Sequence, residues 1–297
     1  MRILYLGLPL GVDVLLRAGH VPVACAIGHP EAPGMARLRR RLPMGTLLLG
    51  RPRLEDPHVQ RALESTGFDV LLSWFWPRKI PASLLLEAPL GAYGVHPSLL
   101  PRWRGPDPYF HTILHGDAET GVTLHRLEPE YDTGAVVARS TLRVHPQDTG
   151  WSLARRLDRP SLALLVGCAD ALASGVTPAS SPQDDALATA APRPDEDDLA
   201  LAFTTSDAAQ LERCVRAAAP EPGASALLED TFVTVLQADV WRGRFPGGLR
   251  AGEAFVAPEG VVVRAARGGG LCLRRVRTDD DQVLEGHEIA ALVTPRR

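Results

Sequence analysis

The sequence predicts an α/β protein, a mostly parallel, doubly wound sheet domain followed by a small β-barrel-like domain. Three observations carry that expectation. Short apolar runs alternate with helical stretches as far as Ala173, the pattern of strand–helix–strand units. A stretch rich in Ser, Pro, Asp and Ala, Ser180 to Asp198, then breaks the pattern, and domains usually meet at such segments. Beyond it, β-like runs punctuated by Gly and Pro follow one another closely, as in small barrels.

The elements read in order. Arg2–Leu8 is a buried strand and Gly11–Ala18 a helix. Val21–Ile27 and Thr46–Leu49 are further strands, with Asp56–Ser65 a helix and Asp69–Trp74 a continuous apolar strand. Leu84–Glu87 suggests a helical turn, Ala92–His96 a strand, Pro108–His115 a helix, and Gly121–Leu127 an alternating strand. Gly134–Val144 is a strand or hairpin, and Trp151–Ala173 a long helix with apolar residues at helical spacing. After the break come a helix over Ser206–Ala218 and β-runs at Phe232–Ala238, Gly252–Ala257, Gly260–Ala265 and Leu271–Arg277. The expected division is 1–180, a connection over 181–198, and 199–297.

The bulk properties exclude several classes. The chain has 297 residues, a net charge of -3, 45% hydrophobic and 23% charged residues, ordinary for a globular protein with no global pull toward nucleic acid or anionic membrane. The four cysteines, Cys25, Cys168, Cys214 and Cys272, are far apart with no C-x-x-C, so neither a metal site nor a disulfide framework is expected. The N-terminus enters a strand directly and lacks the features of a signal peptide. No apolar run reaches the roughly 20 residues that span a bilayer. A cytoplasmic protein with no membrane partner is the expectation.

Chemistry concentrates in Gly94-Val-His-Pro-Ser-Leu-Leu-Pro-Arg-Trp-Arg-Gly105 and in Asp132-Thr-Gly. Histidine suits proton transfer near neutral pH, and a carboxylate beside it would fix its orientation. His96 precedes a proline, which places it in extended backbone at a strand end, where open α/β sheets bind ligands. An isolated turn histidine and turn-forming Asp-Thr-Gly would give the same residues. An aspartic-protease reading of Asp132-Thr-Gly fails, because that mechanism needs two close carboxylates and no second such motif is present. Gly7-Leu-Pro-Leu-Gly11 lacks the G-x-G-x-x-G spacing of a dinucleotide loop.

Taken together, His96-Pro-Ser-Leu-Leu-Pro-Arg-Trp-Arg-Gly105, Glu119-Thr-Gly-Val-Thr123 and Asp132-Thr-Gly134 resemble the signature of the folate-dependent formyltransferases. Ala209-Gln-Leu-Glu-Arg-Cys-Val-Arg with Pro220-Glu-Pro-Gly223 looks like the start of the C-terminal domain of the methionyl-tRNA formyltransferases. The resemblance covers nearly the whole chain. It implies a Rossmann-like catalytic domain with the formyltransferase fold, and attack of a primary amine on the formyl carbon of 10-formyltetrahydrofolate. In the family an Asn and the His stabilise the oxyanion, and the Asp positions the His and helps move protons. His96 and Asp132 match two of those roles; the Asn position is Gly94, which has no side-chain donor, so a backbone N–H, a bound water, or a neighbour such as Tyr93 or Ser73 becomes a substitute to consider. The resemblance also places the folate pocket at Trp74, Phe75, Trp76 and Pro77, with Glu128 and Tyr131 opposite. It sets Ser98 and Arg104 in the signature loop as substrate-side candidates. No metal enters the reaction it implies.

The implied acceptor is first the amino group of initiator Met-tRNA, which would tie the chain to protein biosynthesis and one-carbon metabolism. Six arginines and no acid lie between Met35 and Arg53, where the tRNA enzymes carry a basic insertion; Arg39, Arg40 and Arg41 are its centre, and such a patch suits phosphates. Against tRNA, residues 195–297 hold 12 arginines and 17 acids. Pro106-Asp-Pro-Tyr-Phe110 is closer to relatives acting on nucleotide-linked amino sugars. An amino sugar or other small amine is therefore the second acceptor, and Gly94 raises a third possibility, a weakened paralogue that binds folate or tRNA.

Overall fold

In a computed structural model, residues 1–294 are described. They form two compact units. The first gathers residues 1–108, 119–143 and 155–191, and the second 109–118, 144–154 and the chain from Pro192 onward.

The elements of the first stretch are β1 (Ile3–Gly7), α1 (Pro9–Arg17), β2 (Pro22–Ile27), α2 (Met35–Arg41), β3 (Leu47–Gly50), α3 (Pro57–Glu64), β4 (Val70–Trp74), α4 (Ala82–Leu86) and β5 (Ala92–His96). After α5 (Pro108–Leu114) come β6 (Glu119–Arg126), β7 (Val136–Arg143) and α6 (Gly150–Ala173). The seven strands form one sheet in the order β3-β2-β1-β4-β5-β6-β7. Neighbours from β3 to β5 pair in parallel, whereas β6 runs antiparallel to β5 and β7 antiparallel to β6. Strands β1 and β4 are buried along their whole length, as expected of parallel strands covered on both faces. On one face Leu4, Leu6, Leu71, Leu63, Phe68 and Leu84 form a continuous cluster. Each such side chain contributes about 1.5–3 kcal/mol when fully buried. Local signals agree with the helix starts: Asp56 caps α3 by accepting from the His58 N–H, and Pro57 follows at the first helical position.

The second unit carries α7 (Glu196–Leu199), α8 (Ala208–Ala218), β8 (Ala224–Leu228), β9 (Thr231–Trp241), β10 (Ala254–Ala257), β11 (Gly260–Arg264), β12 (Gly270–Thr278) and β13 (Val283–Glu285). Its strands pair antiparallel in the order β10-β11-β12-β9-β8, with β13 on β12. Two of these strands were not anticipated. Ala224-Ser-Ala-Leu-Leu228 consists largely of helix formers and gains its strand character from pairing with β9, and β13 has only three residues. Asp207 and Gln210 close a capping box on α8. Among the described residues no helix is long and apolar enough to cross a membrane.

Candidate active site

The sheet reverses its strand order between β1 and β4, and ligands of open α/β sheets bind at such a switch point, beyond the carboxyl ends of the strands. Gly7 ends β1 with φ 151°, and a Cβ there would lie 1.9 Å from the Trp74 carbonyl oxygen. Only glycine lets the two strand ends meet so closely. At the end of β4, Phe75 turns the chain with φ 57°. Trp74 is buried, with its ring edge-on to Phe75 at 4.9 Å. Trp76 is half-buried under the Arg78 guanidinium, 5.0 Å from its ring centroid, and Gly28 makes room for Pro77. The indole N–H groups of Trp74 and Trp76 are buried with no acceptor. Leaving such a donor unsatisfied costs about 1–3 kcal/mol. Orphan donors of this kind, one at the end of β4 and one two residues beyond it, fit a ligand rich in acceptors, and a pterin is one.

His96 ends β5, the neighbour of β4, and is buried. Its Nε2–H donates to the Trp103 carbonyl at 2.8 Å. Its Nδ1 faces Asp132 Oδ1 at 3.4 Å. Asp132 Oδ2 accepts from the Gly105 N–H at 2.9 Å. Asp132 itself holds φ 57°, a conformation that costs a non-glycine residue on the order of 1–3 kcal/mol and persists only when its surroundings impose it. The Gly134 that follows is needed, since a Cβ there would lie 1.9 Å from the Arg126 carbonyl oxygen.

The Gly94 position is occupied by a neighbour. Gly94 sits in register between Ser73 of β4 and His125 of β6. A Cβ at 94 would come within 2.6 Å of Leu127 Cδ2 and 3.7 Å of His125 Nε2. A Leu127 methyl thus stands where a longer side chain would begin. Tyr93 is not the substitute donor: its hydroxyl donates to the Leu90 carbonyl at 3.1 Å, and its ring lies under Arg126.

His125 escaped the sequence reading because β6 alternates normally there. It is buried, its Nδ1–H donates to the Arg126 carbonyl at 2.8 Å, and its Nε2 stands 3.9 Å from Asp132 Oδ1. Burial, with a smaller push from His96, lowers its pKa from 6.5 to about 4, against the pull of Asp132. His125 is therefore neutral at pH 7 with a bare Nε2. Its folded value lies below the unfolded one, so above about pH 6.5 neither state holds the proton and stability is unaffected; between 6.5 and 4 only the unfolded chain takes it up, and stability falls. Denaturant unfolding at pH 7.5, 5.5 and 4.5 should show that fall in the wild type and a smaller one in His125→Gln. Equal pH slopes would remove His125 from the acid response.

The remaining candidates divide. Ser98 is fully buried and its hydroxyl donates to the Arg102 carbonyl at 2.6 Å. Arg104 donates to Gln183 and to Asp185 Oδ1 at 2.7 Å. Both hold the signature loop together. Glu128 and Tyr131 are exposed on the approach to Asp132. On α2, Arg37, Arg39 and Arg40 are exposed. Arg41 is also exposed, and its guanidinium is bound to Asp13 of α1. Arg51 is likewise paired with Glu31. Gln183 also went unnoticed, because it lies in a segment whose composition reads only as a connection. Among the described residues no three His, Cys, Asp or Glu side chains converge as metal ligands.

Comparison with known proteins identifies the family. The family described as formyl transferase matches residues 23–168, and the formyl transferase C-terminal domain matches residues 195–292. The methionyl-tRNA formyltransferase of Acidothermus cellulolyticus is 35% identical over 236 residues, covering 75% of this chain and 72% of its own. That of Anaeromyxobacter dehalogenans is 32% identical over 293 residues, covering 94% and 93%. Two solved structures share the fold. HypX from Aquifex aeolicus, in complex with tetrahydrofolic acid, has a TM-score of 0.63 at 20% identity; the match covers 98% of this chain but 47% of HypX. An N-formyltransferase from Helicobacter canadensis, in complex with folinic acid and dTDP-3-aminofucose, has a TM-score of 0.65 at 12% identity over 97% of this chain and 100% of its own. The chain belongs to the formyltransferase family and carries both domains found in its methionyl-tRNA formyltransferase relatives.

Proposed function

We propose that the enzyme moves the formyl group of 10-formyltetrahydrofolate to a primary amine at His96 and Asp132, with Met-tRNA the first candidate acceptor. The observation that carries this reading is the facing of His96 Nδ1 and Asp132 Oδ1 at the end of β5, one strand from the orphan indole donors at the end of β4. Attack by the amine places negative charge on the formyl oxygen and positive charge on the incoming nitrogen. A protonated His96 can donate to the first while Asp132 balances its charge, and the proton lost from the nitrogen passes to N10 of the folate as the bond between the formyl carbon and N10 breaks. At 3.4 Å the Nδ1 contact is longer than a hydrogen bond, so this nitrogen remains open to proton exchange, while Nε2 is committed to Trp103. Contacts of this kind commonly tighten once substrate is bound. Trp74, Phe75, Trp76 and Pro77 form the folate wall in this reading, and Glu128 and Tyr131 its rim. No step calls for a metal. The working division keeps 1–180 as the catalytic domain, 181–198 as the connection and 199–297 as the C-terminal domain, in a soluble cytoplasmic enzyme.

The acceptor rests on two opposed observations. Arg37, Arg39 and Arg40 are exposed along one short helix and suit phosphates. In the second unit, however, Arg274, Arg275 and Arg277 are paired with Asp239, Glu285 and Glu221, and residues 195–297 carry more acids than arginines. Those arginines are not free to grip a polyanion, which favours an amino sugar or other small amine as the second reading.

One experiment weighs both: formyl transfer from labelled 10-formyltetrahydrofolate to charged initiator tRNA and to a panel of small amines, in wild type and in Arg37→Ala/Arg39→Ala/Arg40→Ala. If tRNA is the acceptor, the triple variant loses tRNA affinity and its log-log salt slope flattens by about 0.9 for each phosphate contact removed, while folate protection against heat persists. That protection is about 2.7 kcal/mol at a hundred times Kd. Unchanged tRNA affinity in the variant transfers the assignment to the small amine. Folate binding without turnover on any acceptor identifies a paralogue that only binds.

A further inference from the structure

Residues 181–191 bind both loops of the site. Ser181 exchanges two backbone hydrogen bonds with Val136, just after the Asp132 loop. Thr189 and Ala191 exchange others with Pro101, Arg104 and Asp107 of the signature loop, and Thr189 Oγ1 accepts from the Trp103 N–H at 2.8 Å. Between these anchors lies Gln183. Its Nε2 donates to the carbonyl oxygens of Asp132 and Gly134, both at 2.8 Å. Its Oε1 accepts from Arg104 Nε at 3.1 Å and Nη2 at 2.8 Å. The amide can be oriented in only one way, since guanidinium groups only donate and carbonyl oxygens only accept.

We propose that Gln183 is a positioning residue of the formyl-transfer site, fixing Asp132 in its left-handed conformation and locking that loop to the segment that carries the Trp103 carbonyl. The imidazole of His96 is held at Nε2 by Trp103 and faced at Nδ1 by Asp132, two loops with 28 residues between those contacts in sequence. Gln183 is a side chain that bonds to both. Its two donated hydrogen bonds fall on the carbonyls on either side of Thr133, where Asp132 holds its strained φ. Released from them, Asp132 can relax toward the extended region and carry its carboxylate away from His96. The inference rests on the reading of His96 and Asp132 as the reacting pair.

The test compares wild type with Gln183→Ala and Gln183→Glu. The Glu variant keeps the acceptor for Arg104 but has no donor for the two carbonyls, so it separates the Asp132 contact from the Arg104 contact. Both should lower kcat by about tenfold to a hundredfold, the scale of a displacement near 1 Å in a reacting group, with KM for the folate unchanged. Adding Arg104→Ala to Gln183→Ala should lower kcat no further, because residues acting as one unit are not additive. An independent readout needs no acceptor: the His96 ring N–H proton signal should be protected from exchange in the wild type, where Nε2–H is bonded to the Trp103 carbonyl, and should broaden or vanish in both variants. Wild-type kcat and an intact ring signal in the folded Glu variant would overturn the proposal. If the wild type itself transfers no formyl group, the reading of the reaction fails, and the ring signal alone still decides whether Gln183 orders His96.

Discussion

Asp132→Asn is expected to lower kcat for formyl transfer by about 10²–10⁴, the usual contribution of a positioned acid–base group, and to leave folding and folate binding intact. The geometry explains the selectivity. Asparagine is isosteric, and its Oδ1 can still accept from the Gly105 N–H that now binds Asp132 Oδ2. The amide nitrogen then faces His96 Nδ1 across the 3.4 Å gap. A neutral donor replaces an anion there, so the ring is fixed with Nδ1 as acceptor and no longer carries a proton toward the reacting formyl oxygen. The imidazolium also loses its counter-charge in a site where His96 is buried, and a buried charge without a partner is costly. His96→Ala should produce a loss of similar size, and the double variant should be no worse than the more damaged single one. Steady-state kinetics with folate binding measured in parallel checks this. A loss smaller than about tenfold in Asp132→Asn would mean that the carboxylate only shapes the turn, and the acid–base assignment would have to move.

The residues that made this site legible are those whose function depends on local sequence. His96 before a proline at a strand end, and Asp132 before Thr-Gly, announce their backbone conformations directly, and the structure puts their side chains together. The parallel strands β1 and β4 were legible because burial on both faces leaves an unbroken apolar run. What escaped depends on contacts between residues far apart. Gln183 reads as one more polar residue in a Pro- and Ser-rich stretch, and only the fold shows its amide between Arg104 and the Asp132 loop. His125 is one ordinary position in an alternating strand until register places it opposite Gly94. Arg41 was grouped with Arg39 and Arg40 by sequence adjacency, yet the helix turns it onto Asp13. Strand β8, a run of Ala, Ser and Leu, forms because β9 offers it an edge.

The same long-range contacts change what Gly94→Asn can achieve. The backbone does not resist it, since Gly94 is not among the residues with positive φ. The obstacle is Leu127, whose Cδ2 would lie 2.6 Å from the new Cβ. In the single variant Leu127 must move aside or the asparagine must turn away. Overpacking of this kind costs about 1–3 kcal/mol, and a misdirected amide cannot reach the growing oxyanion. Gly94→Asn with Leu127→Ala removes the obstacle. His125 Nε2, bare because Nδ1–H is committed to Arg126, stands 3.7 Å from the Cβ position and can accept one amide hydrogen, which orients the other toward the formyl oxygen. The double variant should therefore gain about tenfold or more in kcat over Leu127→Ala alone, with an upper bound of about 10²–10³, the worth of one oxyanion donor. Gly94→Asn alone should gain little and unfold at lower temperature. The gain should disappear in a His96→Ala background, where the donor has no partner group to act with. If the double variant instead turns over more slowly than Leu127→Ala, another group already stabilises the oxyanion in the native enzyme, and an amide at 94 displaces it.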